Sequence, residues 1–353
     1  MHETVSSLHG ASLSIAAFLK QPAAWKDCLL GALCFSADAP ANPAQADAEL
    51  PFLHVAMPRL GADTSFCEVW HGSGELTQGQ CGDIRYRHDD AALFGVIELS
   101  ETLFDVGADK TPLQQATESA YRQVFALLDT LHYPYLFRFW NYIADINAHS
   151  FGLERYRQFN LGRQDAFLAH GRDVAGNAPA ACALGSARGP LRIAFLAGRA
   201  LPLSIENPRQ ISACQYPQEY GPRSPTFARA SLVRLPQEEL LFVSGTASIV
   251  GHASLHPGDV LAQTGETMAN IEAVLAEANP LASQPVFNLA MLDYKVYLRR
   301  PADLTLIRGE LERIVSAPPK AVYLQADICR EDLLLEIEAT AAHPLIFMAG
   351  QWD

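Results

Sequence analysis

The segments VFNLAMLDYKVYLR (286–299), ADLTLIRGELERIVS (302–316), AVYLQADIC (321–329) and LLLEIEATA (333–341) read in the order strand, helix, strand, strand. Val, Leu and Tyr crowd the first of them, as a pleated strand favours. Asp303 stands ready to cap the helix, and Pro318-Pro319 prevents its continuation. Working upstream, LLFVSGTASIV (240–250) reads as a strand broken by a Ser-Gly-Thr turn. TGETMANIEAVLAEA (264–278) sets Met268, Ile271, Leu275 and Ala278 at spacings of three and four, which is one helix face, with Thr264 as its cap.

The N-terminal half repeats this order. ALFGVIELSE (92–101) reads as a strand, followed by TPLQQATESAYRQVFALLDTL (111–131) as a helix. Thr111 caps that helix, and Pro112 occupies its first position, where a missing N–H costs nothing. PYLFRFWNYIADIN (134–147) is an aromatic strand and GLERYRQFNLGRQDAFLAHG (152–171) a helix. PLRIAFLAG (190–198) and PLSIENPRQ (202–210) read as two closing strands. LPLSIENP (201–208) aligns with LLLEIEAT (333–340), which sets Ser204 against Glu336 and Glu206 against Glu338. The expectation is an α/β (α+β) fold of two tandem units, 1–210 and 211–353, with mixed sheets packed by helices.

The composition is that of a folded protein: 49% hydrophobic and 18% charged residues in a chain of 353. No apolar run reaches bilayer length, and MHETVSSLHGASLSIAAFLK lacks the basic start of a secretory signal, so a cytoplasmic enzyme is expected. Seven cysteines, an odd number without CxxC spacing, predict free thiols. A net charge of −13 argues against nucleic-acid and membrane-surface partners. It leaves room for a small anion held by a few converging arginines.

Side chains alternate along a strand, so LEIEA places Glu336 and Glu338 together on one face. A carboxylate in a partly closed pocket has a raised pKa and can move protons near neutrality. The other reading of that pair is a solvated face or an ion pair with Arg299 or Arg300. SACQYPQEYGPRSPTFARASLVR (212–234) has little periodicity and is stiffened by Pro217, Pro222 and Pro225. It carries Tyr216, Tyr220, Arg223 and Arg229, types suited to carboxylate binding, or else it is a linker with surface arginines. His252 and His256 form an HxxxH pair, but Gly251 and Pro257-Gly258 predict a turn there rather than a metal-binding helix. GSGELTQGQCG (72–82) reads as a hairpin or loop, and Walker A, GxGxxG and GxSxG motifs are absent.

SGTASIVG, ETMANIEAVL, VFNLAMLDYKVYL and EIEA resemble the YjgF/RidA (chorismate-mutase-like) fold. ENPRQISACQYPQEYGPRSPTFARA, VSGTASIVGHASLHPGD and DICREDLLLEIEA closely resemble the chorismatase family, as do FRFWNYIADIN and ERYRQFNLGR. The resemblance implies chorismate as substrate, pyruvate as one product, and no metal or redox cofactor. It implies that Glu336 protonates the enolpyruvyl methylene and that Cys329 transfers protons in aromatising members. It further implies substrate contacts from Arg223, Tyr220, Tyr216, Arg229, Ala247 and Arg163. Aromatising members would give 3-hydroxybenzoate, with 4-hydroxybenzoate beside it; the alternative branch adds water and gives a dihydroxycyclohexadiene carboxylate. Small RidA proteins carry an arginine on the strand matching AVYLQADIC, where this chain has Tyr323 and Gln325, and SPTFARA replaces their GPYSQA-like motif, so imine hydrolysis is the lesser alternative. Two fused units in one chain imply a monomer.

Overall fold

Three β-sheets each turn one face toward a shared apolar core. The computed structural model describes residues 8, 10–38, 50–61, 65–106, 109–172 and 178–345. The first sheet has the order β1-β4-β2-β3, from β1 (Gly10–Leu13), β2 (Leu29–Ser36), β3 (Phe52–Ala56) and β4 (Ser65–His71). The second has the order β11-β8-β12-β7-β6-β5. Its strands are β5 (Thr77–Cys81), β6 (Ile84–His88), β7 (Ala92–Leu99), β8 (Tyr135–Ala144), β11 (Ala180–Ser186) and β12 (Leu191–Gly198). The third has the order β13-β14-β15-β20-β18-β19. It is built from β13 (Leu203–Ile205), β14 (Ala230–Arg234), β15 (Glu238–Thr246), β18 (Asp293–Leu298), β19 (Lys320–Gln325) and β20 (Leu335–Pro344). Two short hairpins complete the set: β9 (His149–Ser150) with β10 (Leu153–Glu154), and β16 (Ile249–Val250) with β17 (Ala253–Ser254).

One pairing pattern recurs in all three sheets. A parallel pair (β2/β3, β8/β11, β18/β19) is followed by two antiparallel pairings, β2/β4/β1, β8/β12/β7 and β18/β20/β15. Helices cover the outer faces, because each helix has one apolar stripe to bury. The short helices α1 (Ile15–Leu19) and α2 (Ala23–Lys26) lie beside the first sheet, where Ile15, Phe18 and Trp25 pack on Leu29, Phe52 and Val69. Helices α3 (Pro112–Leu131) and α4 (Arg155–Ala169) pack on the second sheet, and α5 (Val260–Ala278) and α6 (Leu304–Val315) on the third. The inner faces meet in an aromatic cluster with one ring from each sheet. Trp70 lies 5.7 Å from Trp140 and 5.8 Å from Phe242, centroid to centroid. Truncating either buried tryptophan to alanine would cost about 3–5 kcal/mol. Among the described residues no helix is long and apolar enough to cross a membrane.

The α/β fold is as expected, but several of its details differ. Strand β11 was not legible: AACALGS has few β-branched or aromatic residues. Its small side chains allow close approach instead, since a Cβ on Gly185 would lie 2.6 Å from Asp327 Cβ. The counterpart of β20 in the second sheet is therefore β12, and the alignment of LPLSIENP with LLLEIEAT fails. Ser204 lies on β13, an edge strand of the third sheet, and is not the equivalent of Glu336. The third sheet thus begins before residue 210. The run 321–329 is a strand only to Gln325, after which the chain turns and carries Cys329 between strands. Helix α5 starts earlier than Thr264, with Asp259 as its cap accepting from the Ala262 N–H at 3.0 Å. Thr111 caps α3 as expected.

The expectation of free thiols fails for one pair. Cys34 on β2 and Cys67 on β4 face each other in antiparallel register with Cα atoms 4.2 Å apart, and they form a disulfide. Strand pairing brings together residues 33 positions apart, which sequence spacing does not reveal. Cys28, Cys81, Cys182, Cys214 and Cys329 are free.

Candidate active site

A cavity of about 630 Å³ opens between the second and third sheets. Its walls come from the β9/β10 hairpin and the start of α4, from the segment around Tyr216–Arg229, and from the β16/β17 hairpin. Its floor is Gly245, Cys329 and Glu336.

Glu336 sits on β20 with only 3% of its surface exposed. Its strand alternates as expected. Leu335, Ile337 and Ala339 join the outer core under α5 and α6, while Glu336 and Glu338 face inward. Among the described residues no hydrogen-bond donor reaches the Glu336 carboxylate. Burial and then the neighbouring charge of Glu338 raise its pKa to about 8, against a smaller opposing effect of Arg138.

Glu338 has the opposite environment. Arg138, reaching across from β8, donates to Glu338 Oε2 at 2.5 Å and to the Val243 carbonyl at 2.7 Å. Lys295 on β18 donates to Glu338 Oε1 at 2.6 Å and also pairs with Glu68 of β4. Burial alone would raise the Glu338 pKa, but Lys295 and Arg138 overcome it and hold the group at about 2. The expected partners Arg299 and Arg300 pair elsewhere, with Asp327 and Asp303.

Room for the Glu336 carboxylate comes from an irregularity in β15. Its register against β20 shifts between Val243, paired with Ala339, and Thr246, paired with Ile337, so the bulge lies opposite Glu338. Ser244 and Gly245 fill the bulge, and Gly245 lies against Glu336. The Ser244 hydroxyl donates to the Ala228 carbonyl at 2.6 Å and accepts from the Ala181 N–H at 2.9 Å, which ties the bulge to the segment entering β14 and to β11 of the second sheet.

The structure brings Cys329, Tyr216, Tyr220, Arg229 and Ala247 to the cavity together with Glu336. Burial, followed by the charge of Glu336, pushes the Cys329 thiol up to about 12. Arg229 donates to Tyr216 Oη at 3.0 Å and to the Ile211 carbonyl at 2.8 Å. Its buried Nε has no partner among the described residues. Tyr220 Oη lies 3.1 Å from His252 Nδ1. His252 sits in the turn of the β16/β17 hairpin and His256 in a bend after β17, so the pair is not on a helix, as expected. Two expected residues lie elsewhere. Arg223 is exposed and does not line the cavity, because the chain leaves the wall at Gly221 (φ +135°) and Pro222 before returning at Pro225. Arg163 is buried in α4, donating to Asn160 Oδ1 at 2.8 Å and lying over Phe159, outside the cavity lining.

Two cationic residues of the cavity were not singled out from the sequence: Arg157 and Arg330. Arg330 lies over the Tyr220 ring at 4.0 Å and the Tyr216 ring at 5.4 Å, and donates to the His252 carbonyl at 2.8 Å. Arg157 pairs with Glu154 at 3.1 Å. Both stand inside the blocks ERYRQFNLGR and DICREDLLLEIEA, Arg157 in the first turn of α4 and Arg330 in the bend between β19 and β20. Among the described residues no cluster of three or more His, Cys, Asp or Glu has the geometry to hold a metal ion.

A buried carboxyl beneath three arginines and three tyrosines (Tyr156, Tyr216 and Tyr220) makes a site for a small anion, with a proton donor at its floor. The family description "Chorismatase FkbO/Hyg5-like, N-terminal" matches residues 68–197. A chorismatase of Streptomyces hygroscopicus is 39% identical over 285 residues, 79% of this chain and 80% of that one. A 3-hydroxybenzoate synthase of the same organism is 38% identical over 300 residues, 82% of this chain and 84% of that one. A crystal structure of a chorismatase superposes with a TM-score of 0.82 at 34% identity, covering 94% of this chain and 98% of that one. The chain belongs to the chorismatase family.

Proposed function

We propose that this enzyme divides chorismate into pyruvate and a hydroxybenzoate, chiefly 3-hydroxybenzoate with 4-hydroxybenzoate beside it. The observation that carries the reading is Glu336, a buried carboxyl protonated near neutrality on the floor of an arginine-bearing cavity. A vinyl ether is protonated on carbon, so the acid must hold its proton at the working pH. Glu336 gives that proton to the enolpyruvyl methylene, and the π pair forms the new C–H bond. The ether carbon becomes oxocarbenium-like and is attacked by the ring hydroxyl of the same substrate. Cleavage of the ring's bond to the attacking oxygen, with loss of the proton on the ether-bearing ring carbon, aromatises the ring. The hemiketal so formed breaks its bond to the ether oxygen to give 3-hydroxybenzoate and pyruvate. Cleavage of the ether's own ring C–O bond instead, with loss of the proton on the hydroxyl-bearing carbon, gives 4-hydroxybenzoate. Atoms balance without water.

The substrate is a dianion, and Arg229, Arg330 and Arg157 are the cavity's cations. Cys329 is a thiol, not a thiolate, at neutral pH. That suits a proton relay for the aromatising step and not a nucleophile. We read the second and third sheets as two copies of a YjgF/RidA-like unit, sharing one strand order and pairing pattern. The first copy follows an N-terminal extension within residues 1–210. The second spans 211–353 and takes Leu203–Ile205 as its edge strand. Because both walls of the cavity come from one chain, a monomer suffices to build the site.

The test is incubation of the purified protein with chorismate, with products separated by chromatography and identified by mass. Hydroxybenzoate and pyruvate in equal amounts are expected. A dihydroxycyclohexadiene carboxylate with pyruvate would move the enzyme to the hydrolytic branch. No turnover of chorismate, with hydrolysis of 2-aminoacrylate, would replace the reading by imine hydrolysis.

A further inference from the structure

Glu338 does not line the cavity that holds Glu336. It is nearly buried, lines with Glu68 and Lys295 a second cavity of about 550 Å³, and is bound by two buried cations, Arg138 and Lys295. The cluster draws on all three sheets: Glu68 from the first, Arg138 from the second, Lys295 and Glu338 from the third. Two cations and two carboxylates leave it neutral overall, but not evenly spread. Glu338 is two residues from Glu336 on the same face of β20, so the two carboxyls stand about 6–7 Å apart along the strand. Burying an ion cluster is costly, and an apolar replacement of similar volume is often as stable, so packing does not explain the presence of these four residues.

We infer that Glu338 is a positioning residue of the reaction: fixed as a carboxylate by Arg138 and Lys295, its charge keeps the proton on Glu336 until the substrate takes it. The inference rests on Glu336 being the acid. The other groups around Glu336 do not supply this charge. Of the cavity's carboxylates, Glu154 pairs with Arg157, and Glu331 and Asp332 are exposed and screened by solvent, while Arg157, Arg229 and Arg330 are cations of the opposite effect. Cys182 on β11, Cys329 in the turn after β19, Tyr297 on β18 and Tyr156 on α4 all have raised pKa values and are neutral at pH 7. Arg138 on β8 is a cation and acts in the opposite sense, and its own guanidinium is engaged by Glu338 and the Val243 carbonyl. Lys295 and Glu68 reach Glu336 only through Glu338. Glu338 is therefore the negative charge that sets the proton affinity of Glu336. Arg138 has a double part, since it also anchors Val243, the residue before the bulge that receives the Glu336 carboxylate.

The experiment is the pH profile of kcat on chorismate for the wild type, Glu338→Gln and Glu338→Asp, with folding checked by circular dichroism. The wild type should lose activity as pH rises through about 8. Glu338→Gln removes the negative charge and leaves Arg138 and Lys295 in excess, so that limb should move to lower pH by about one to two units. Glu338→Asp keeps the charge and should return the limb to its wild-type position, whatever its effect on rate. A limb that stays in place in Glu338→Gln while the rate falls would make Glu338 merely structural. If Glu338→Gln does not fold, Glu68→Gln removes a more distant carboxylate of the same cluster and should move the limb the same way by less; no movement overturns the inference. A wild-type profile without a basic limb is a different result: it would overturn Glu336 as the acid.

Discussion

A Cβ on Gly245 would lie 1.9 Å from Oε1 of Glu336, so the carboxyl on the cavity floor occupies the space that a side chain at position 245 would fill. Gly245 does not have a positive φ, and its backbone accepts any residue. The glycine is therefore needed for room and not for conformation. Gly245→Ala should fold, push the Glu336 carboxyl aside and lower kcat by about a hundredfold, as misplacement of a reacting group by about 1 Å does. Steady-state kinetics on chorismate with a thermal melt checks this. Wild-type kcat in a folded Gly245→Ala protein would show that the carboxyl need not sit there.

Glu336→Gln keeps the shape of the side chain and removes the transferable proton. It should lower kcat at least 10³-fold while chorismate still binds, because general acid catalysis contributes typically 10²–10⁴-fold and protonation starts this reaction. Equilibrium titration with chorismate separates the two effects. Loss of binding along with turnover would make Glu336 a ligand contact.

The same residue makes stability depend on pH. Glu336 has a folded-state pKa of about 8 against the ordinary 4.5, so between those values the folded protein holds a proton that the unfolded chain has released. This contribution is full below pH 4.5 and is lost as pH rises through 8. Glu338 has the other sign: held at about 2, it contributes stability above pH 4.5 that is lost as pH falls toward 2. Glu336→Gln should therefore be more stable than the wild type at pH 9, and the difference should shrink toward pH 5. Urea denaturation at the two pH values tests it; a difference independent of pH would contradict the raised pKa.

These two carboxylates show how far the sequence could be read. Alternation along LEIEA set both on one face, and that face is the inner one. Their opposite ionisation was not legible, because Arg138 lies 200 positions away and Lys295 on a neighbouring strand. The three-sheet core was hidden for a similar reason. Two of the first sheet's four strands, β1 and β3, have only four and five residues, and β11 is mostly small residues, AACALGS, so none of these gives a periodic signal. Arg223 stands out in the sequence because it lies in a stiff, proline-rich loop, whereas Arg330 carries no such signal. Only the fold shows that the chain swings Arg223 outward and seats Arg330 on Tyr220.

That difference separates the arginines experimentally. Arg330→Ala removes a cation stacked on two tyrosines inside the cavity and should raise KM for chorismate roughly 10- to 100-fold, with kcat changed less. Arg223→Ala, on the surface, should leave KM within about twofold, since surface substitutions rarely matter. Equal effects of the two substitutions would place the substrate's carboxylates nearer the rim than the cavity floor.

In the proposed mechanism Cys329 relays the proton that leaves the ring as it aromatises. It lines the cavity next to Glu336, and the charge of Glu336 is the second cause, after burial, of its raised pKa. Once Glu336 has given up its proton, the pair can pass one on only if the thiol stands between the ring and the carboxylate. Cys329→Ala breaks that route without removing the acid, and alanine fills most of the same space. Chorismate should still be consumed and pyruvate still released, at a rate within about tenfold of wild type. The share of 3-hydroxybenzoate should fall, with 4-hydroxybenzoate or unaromatised diene in its place. Chromatography of the products at equal conversion reads this directly, and an unchanged product ratio would assign the aromatising proton transfer to another group.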